Sequence, residues 1–316
     1  MEKNNSSLSY IAAGAFWLLA FVIALKVGSV PNASFDVISE LRLPRAVMAS
    51  AVGMGLAVAG AALQALFANP LCEPYTLGIS SGAALGAILG SILGVPALFS
   101  GIAGSAFLGA LSVAFVLYLI SKRKEGSGLT LLLSGVMIGL VGSSLVALCM
   151  AISDTNGVQG AILWFLGDLS RARLRGSLLS FLGIVILVFQ IWSRSQELDA
   201  LLMGEEGAQS LGIEVARVRK RIILLSSLLV GVCVSASGMI GFVGLVIPHF
   251  SRRLVGSLHH RLIPLCAIWG AASLTAADAV ARKVVSPYEV PVGVVTALVG
   301  APLFIWMMLK GRAKNE

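Results

Sequence analysis

Ten stretches of this chain are nearly free of charge and long enough, or almost long enough, to cross a lipid bilayer. They are residues 8–25, 46–67, 76–95, 98–120, 129–152, 176–193, 222–240, 241–251, 262–277 and 290–309. A spanning helix needs about 20 apolar residues. Hydrocarbon offers the backbone no hydrogen-bond partners, so runs of this length are expected to be helices that satisfy themselves. No Asp, Glu, Lys, Arg or His occurs between Glu73 and Lys122, between Glu125 and Asp154, or from Ile222 to Pro248. The last interval holds two runs that nearly merge. Its second part, 241–251, reads as a short, broken or partly re-entrant segment, with nine spans as the alternative count. The expected fold is an all-α integral membrane protein of about ten transmembrane helices, one transmembrane domain over residues 1–316. Composition agrees: 57% of residues are hydrophobic and 12% charged, against about 45–50% and about 25% in soluble domains.

Orientation follows from Lys and Arg, which accumulate on the cytoplasmic side. With both termini inside, the inner segments hold Lys3, Lys122, Arg123, Lys124, Arg194, Arg217, Arg219, Lys220, Arg221, Arg252, Arg253, Arg261, Lys310, Arg312 and Lys314. The outer ones hold Lys26, Arg42, Arg45, Arg171, Arg173, Arg175, Arg282 and Lys283. The inner surplus selects this topology. The net charge of +8 is therefore read as topology, not as an affinity for nucleic acid. The N-terminal apolar stretch lacks a small-x-small cleavage site and reads as an uncleaved first helix.

Small residues recur every fourth position: Gly82, Gly86, Gly90 and Gly94; Ala49, Gly53, Ala57, Ala61 and Ala65; Gly135, Gly139, Ser143 and Ala147. Such stripes let helix backbones approach closely. They predict a tight bundle and say nothing of function. The four cysteines stand singly, with no CxxC or Cys/His spacing, so no metal site is expected. The interior carries almost no ionisable residue where a proton- or ion-coupled carrier would place one. No catalytic constellation is visible, and no GxxxxGK[ST] phosphate loop occurs. If the chain drives active transport, another subunit must supply the energy.

Four polar segments interrupt the apolar pattern. Leu41–Arg45 (LRLPR) precedes the second run; Pro44 suits a first helical turn, and Arg42 and Arg45 can share a face. In Gln64–Ala83, Pro70 and Pro74 break the helix near Asn69 and Glu73, and Ser80 and Ser81 are cap candidates for the next one. In the long inner loop, residues 194–220, Leu198, Leu201 and Leu202 fit a helical stripe. Met203–Ile213 reads as a glycine-bounded short helix with Glu205 and Glu206 at its positive end. A loop with its own secondary structure suits docking to a cytoplasmic partner. The fourth segment, Ser237–His249, is glycine-rich and closes on Pro248.

The runs LRLPR, QALFANPLCEPYTLGISSGAALGA, LLLSGVMIG, MGEEGAQSLGI, GFVGLVIPH and PVGVVTALVGAPLFIWMM, in this order from about residue 8 to 310, resemble the FecCD-like permeases. These are the membrane subunits of type II ABC importers for iron-siderophores, haem and cobalamin. The resemblance implies a multi-pass protein of a bacterial or archaeal cytoplasmic membrane that pairs with a second copy of itself. It implies two ATPase subunits below, which hold ATP and Mg, and an extracytoplasmic substrate-binding protein above. No cofactor is expected in this chain. The resemblance assigns Arg42, Arg45 and Arg282 to docking of the binding protein's acidic residues. It assigns the cytoplasmic gate to Asn69, Leu71, Gly128 and Leu129. The family's second gate carries small hydroxyl residues; here Ser127 and Thr130 flank it instead. ATPase coupling falls to Gly204, Glu205, Ala208, Leu211 and Gly212.

The expected function is non-enzymatic: import of a metal chelate by alternating access, with ferric siderophore first, then haem or cobalamin. Charge reversal at Arg42 and Arg45 is expected to abolish uptake and leave the ATPase complex intact. The competing reading is an ion-coupled secondary carrier or channel, and after it a membrane enzyme or assembly factor.

Overall fold

A computed structural model describes residues 2–28, 34–94, 101–122, 128–152 and 165–312. Every described element is helical. The ten apolar runs all become helices. They are α1 (Glu2–Lys26), α2 (Leu43–Leu66), α3 (Ile79–Ile92), α4 (Gly101–Ser121), α5 (Gly128–Ile152), α6 (Leu174–Trp192), α9 (Val215–Ser237), α10 (Val243–Val255), α11 (His259–Ala281) and α12 (Val292–Arg312). Between α6 and α9 lie two short helices, α7 (Ser195–Leu201) and α8 (Gly204–Ser210). Among the described residues, eight helices are long and apolar enough to cross a membrane. The other two are shorter: α3 with 14 residues and α10 with 13, which contains Pro248.

The bundle is built around α2, which packs against α6, α9, α10 and α11. Of its most apolar stretch 89% is buried, against 11% for α5. The outer helices instead present Leu, Val, Ile and Phe outward. In water such a surface would aggregate; against lipid tails it is solvated.

The central place of α2 follows from its small side chains. A Cβ added at Gly53 would run into the Gly270 carbonyl of α11, and one at Gly60 into the Gly244 carbonyl of α10. The glycine stripe of α3 does the same toward α4, where Gly82 and Gly86 meet Gly109 and Ser105. Close backbone contact replaces the hydrophobic drive that lipid does not supply.

Two local expectations are corrected. α3 begins at Ile79, ahead of both serines, and its cap is Gly78 at φ 71°. A serine cap needs extended backbone; here a short 3-10 turn, Pro74–Leu77, feeds directly into a left-handed glycine. The Ser81 hydroxyl instead donates back to the Gly78 carbonyl at 2.8 Å. In the 194–220 loop, Leu198 and Leu201 are buried as the stripe requires, but Leu202 is exposed.

Candidate functional site

Three groups of side chains carry the site, and α2 positions two of them. Its 24 residues span about 36 Å. The LRLPR arginines sit at one end and the Asn69 loop at the other.

At the first end, a π-helical turn (Ile38–Arg42) leads into α2 with Pro44 in its first turn. Arg45 Nε donates to Asp278 Oδ1 at 2.8 Å, and its Nη1 to Glu289 Oε2 at 2.6 Å. Arg282 Nε lies 3.1 Å from Asp278 Oδ2. Arg282 Nη2 donates to the Ala24 carbonyl (2.9 Å), and Arg42 Nη1 to those of Leu25 (3.1 Å) and Lys26 (2.7 Å). These carbonyls end α1, where helical partners run out and the helix dipole is negative. Two arginines therefore cap α1, and Arg45 and Arg282 enclose Asp278. The three guanidinium groups and two carboxylates leave one positive charge in excess, beside a cavity of about 230 Å³ also lined by Gly28 and Ser170.

The structure thus gathers the three docking candidates but does not leave them free. All are buried, at 6, 9 and 3% exposure for Arg42, Arg45 and Arg282. That burial changes what charge reversal would report. A buried charge must be paired, and Arg45→Glu would set a third carboxylate beside Asp278 and Glu289. That variant tests the fold before it tests docking.

At the other end, α2 stops where Ala68 turns left-handed, at φ 46°. Asn69 Oδ1 accepts the Leu71 N–H at 2.9 Å, the local turn expected of an Asn before Pro. Leu71 is half exposed. Gly128 comes within van der Waals reach of this turn, a Cβ there falling 3.8 Å from Phe67 and 3.9 Å from the Leu66 carbonyl. Leu129 is exposed beside it. The two candidate gate segments, far apart in sequence, are neighbours. Ser127 lies outside the described residues, and Thr130 is exposed.

The candidate gate loop is anchored to the turn before α10. Tyr75 Oη donates to the Ile240 carbonyl (2.9 Å) and accepts the Ile240 N–H (2.7 Å). Glu73 Oε1 accepts the Phe242 N–H at 2.6 Å. Phe242 holds φ 67° without being glycine. Burial raises the Glu73 carboxyl above its ordinary value, and the Phe242 N–H partly opposes that rise.

The third group is the α7–α8 pair. Gly204 (φ 85°) and Gly212 (φ 77°) bound α8 in left-handed turns, and Glu205 and Glu206 occupy its first turn. Gly204, Glu205, Leu211 and Gly212 are exposed, as a contact surface requires. Ala208 is fully buried, so within this chain it anchors the helix to its neighbours. An Arg219–Glu205 ion pair ties α8 to α9. α7 is hooked to α11, because Asp199 Oδ1 accepts both the His259 backbone N–H (2.8 Å) and its ring Nδ1 (2.6 Å).

Sequence reading passed over Gln64, Arg252, Tyr75, Glu73, Phe242 and the Asp199–His259 pair. Gln64 carried a signal, as the one amide in the run 46–67. The others gain meaning only from their partners.

Comparison with known proteins supplies the context. The family model described as the FecCD transport family matches residues 6–310. The vitamin B12 import system permease protein BtuC of Vibrio cholerae is 37% identical over 303 residues, covering 95% of this chain and 89% of that protein. The hemin transport system permease protein HmuU of Yersinia pestis is 38% identical over 293 residues, covering 91% and 87%. A solved structure described as an inward-facing ABC transporter of the metal-chelate type superposes with TM-score 0.88 at 35% identity, covering 95% of this chain and 98% of its own. PsaBC from Streptococcus pneumoniae, at 20% identity and TM-score 0.58, shares the fold.

Proposed function

The chain belongs to the FecCD transport family, and on that premise we propose that it is the membrane permease of an ATP-driven, binding-protein-dependent importer of a metal chelate. It works as a homodimer with the path between the two copies and both termini in the cytoplasm. Transport is by alternating access. ATP and Mg bind to two separate ATPase subunits, and this chain performs no chemistry. Its cargo is a bulky metal complex. The relatives' names carry vitamin B12 and hemin, and a ferric siderophore belongs to the same class.

One observation carries the reading. A single end of the bundle gathers the parts of an externally driven gate: an exposed glycine-bounded helix (α8), the α7 hook on His259, and the Asn69–Leu71 loop against Gly128. At the far end of α2, the arginine pocket has a positive charge in excess, and an acidic partner surface complements it. Arg42 lines the same pocket and donates to the Leu25 and Lys26 carbonyls at the end of α1.

The test is purification of the tagged protein from its own host in mild detergent. The expected result is a stoichiometric ATPase partner with ATP hydrolysis. A chain that emerges alone and stable, and that drives uptake in proteoliposomes from an ion gradient without ATP, would overturn the reading in favour of a secondary carrier.

A further inference from the structure

Pro248 lies inside α10. A proline has no N–H, so the carbonyl four residues before it, Gly244, loses its helical partner. The structure supplies a replacement from another helix. Gln64 of α2 is buried (2% exposed) and donates from Nε2 to the Gly244 carbonyl at 3.3 Å. The same nitrogen donates to the Cys72 carbonyl in the gate loop at 3.2 Å. Gln64 Oε1 accepts from Arg252 Nη1, in the last turn of α10, at 2.6 Å. With carbonyls on one side and a guanidinium on the other, the orientation of the amide is fixed.

One side chain therefore joins three things: the end of α2, the gate loop and both ends of α10. Tyr75 and Glu73 add their bonds to Ile240 and Phe242, so the loop is fastened to the turn entering α10 as well. α10 in turn leads, across the three residues Gly256–Leu258, into His259, which Asp199 of α7 holds. A continuous set of bonded elements leads from α7 through the start of α11 and α10 to Cys72, next to Leu71.

We propose that Gln64 and Arg252 are positioning residues that slave the Asn69–Leu71 loop to α10, so that motion at the cytoplasmic helices α7 and α8 reaches the gate through α10. This rests on the importer reading. Gln64 has a structural duty at Gly244 and a transmitting duty between Arg252 and Cys72, and the two are separable. Pro248→Ala restores a helical N–H for the Gly244 carbonyl, which makes the first duty redundant and leaves the second untouched.

The experiment uses the complete complex with its ATPase, carrying Leu71→Cys in a Cys149→Ser background. The remaining cysteines, Cys72, Cys233 and Cys266, are buried. The probe is a membrane-impermeant maleimide, and its rate of reaction is read without nucleotide and with ATP plus vanadate. The expected result is a rate that differs between the two states in the parent. That difference is lost in Arg252→Met and in Gln64→Met, while ATP hydrolysis persists. Arg252→Lys recovers part of the difference. Gln64→Met with Pro248→Ala regains the melting midpoint and not the difference. The proposal is overturned if Arg252→Met and Gln64→Met keep the full difference, or if the Pro248→Ala addition restores it along with the midpoint. A complex that hydrolyses ATP with no change of labelling in the parent overturns it too. Failure of the importer reading looks different: no ATPase accompanies the chain at all.

Discussion

Asp278 and Glu289 both bind Arg45, at 2.8 and 2.6 Å, yet their removal should not cost the same. The Asp278 side chain is wholly buried, whereas 36% of the Glu289 side chain is exposed. Asp278 also faces Arg282 at 3.1 Å. Two unit charges about 4 Å apart attract by about 4 kcal/mol at an effective dielectric near 20, and desolvation offsets much of that in the intact pair. Removing one partner of a buried pair leaves the desolvated charge behind and costs about 3–5 kcal/mol. Asp278→Asn removes the buried carboxylate from two guanidinium groups, leaving Arg45 with the partly screened Glu289 and Arg282 with backbone carbonyls alone. A loss of about 3–5 kcal/mol is expected. Glu289→Gln breaks a pair that water already screens, which is worth about 0–1 kcal/mol. Arg45→Met added to Asp278→Asn should recover part of the larger loss, because one buried cation leaves with its carboxylate. The assay is reversible unfolding in mixed micelles of increasing denaturing detergent, followed by tryptophan fluorescence. Equal losses for Asp278→Asn and Glu289→Gln, or a neutral Asp278→Asn, would refute the assignment of Asp278 as the centre of the cluster.

Gly60→Ala drives a Cβ into the Gly244 backbone carbonyl and should cost about 1–3 kcal/mol or more, seen as a lowered melting midpoint. Gly183→Ala, in a helix position with nothing within 4 Å, should be stabilising by about 0.5–1 kcal/mol, and equal effects at the two sites would sink the close-approach argument. Glu73 has its folded value raised by burial, so the folded state takes up the proton first; its contribution is most favourable at acid pH and is lost as pH rises through the raised value. Glu73→Gln keeps an acceptor for the Phe242 N–H and removes that slope. Melting midpoints taken from about pH 4 to 8 should show the unmodified protein losing ground to the variant as pH rises, and a constant difference would contradict the assignment.

The architecture was legible because lipid imposes it. A chain with 12% charged residues and ten apolar runs has one way to bury its backbone polar groups, and all ten runs form helices. The glycine-bounded α8 and the break at Asn69–Pro70 were equally readable, because left-handed glycines and prolines act on their own few residues. Long-range pairing was not readable. The LRLPR arginines looked like free rim charges, and their partners Asp278 and Glu289 lie 233 and 244 residues from Arg45. Gln64 and Pro248 each carried only a local signal, one as the single amide of its apolar run and the other as the proline that closes a glycine-rich segment. Only packing shows that the amide fills the place of the bond the proline removes. The burial of Ala208 was likewise not readable, since a motif says which residues belong together and not which of them face inward. Periodicity and backbone chemistry are local and can be read along the chain. Charge pairing and hydrogen-bond replacement depend on which helices adjoin, and the close approaches at Gly53 and Gly60 decide that.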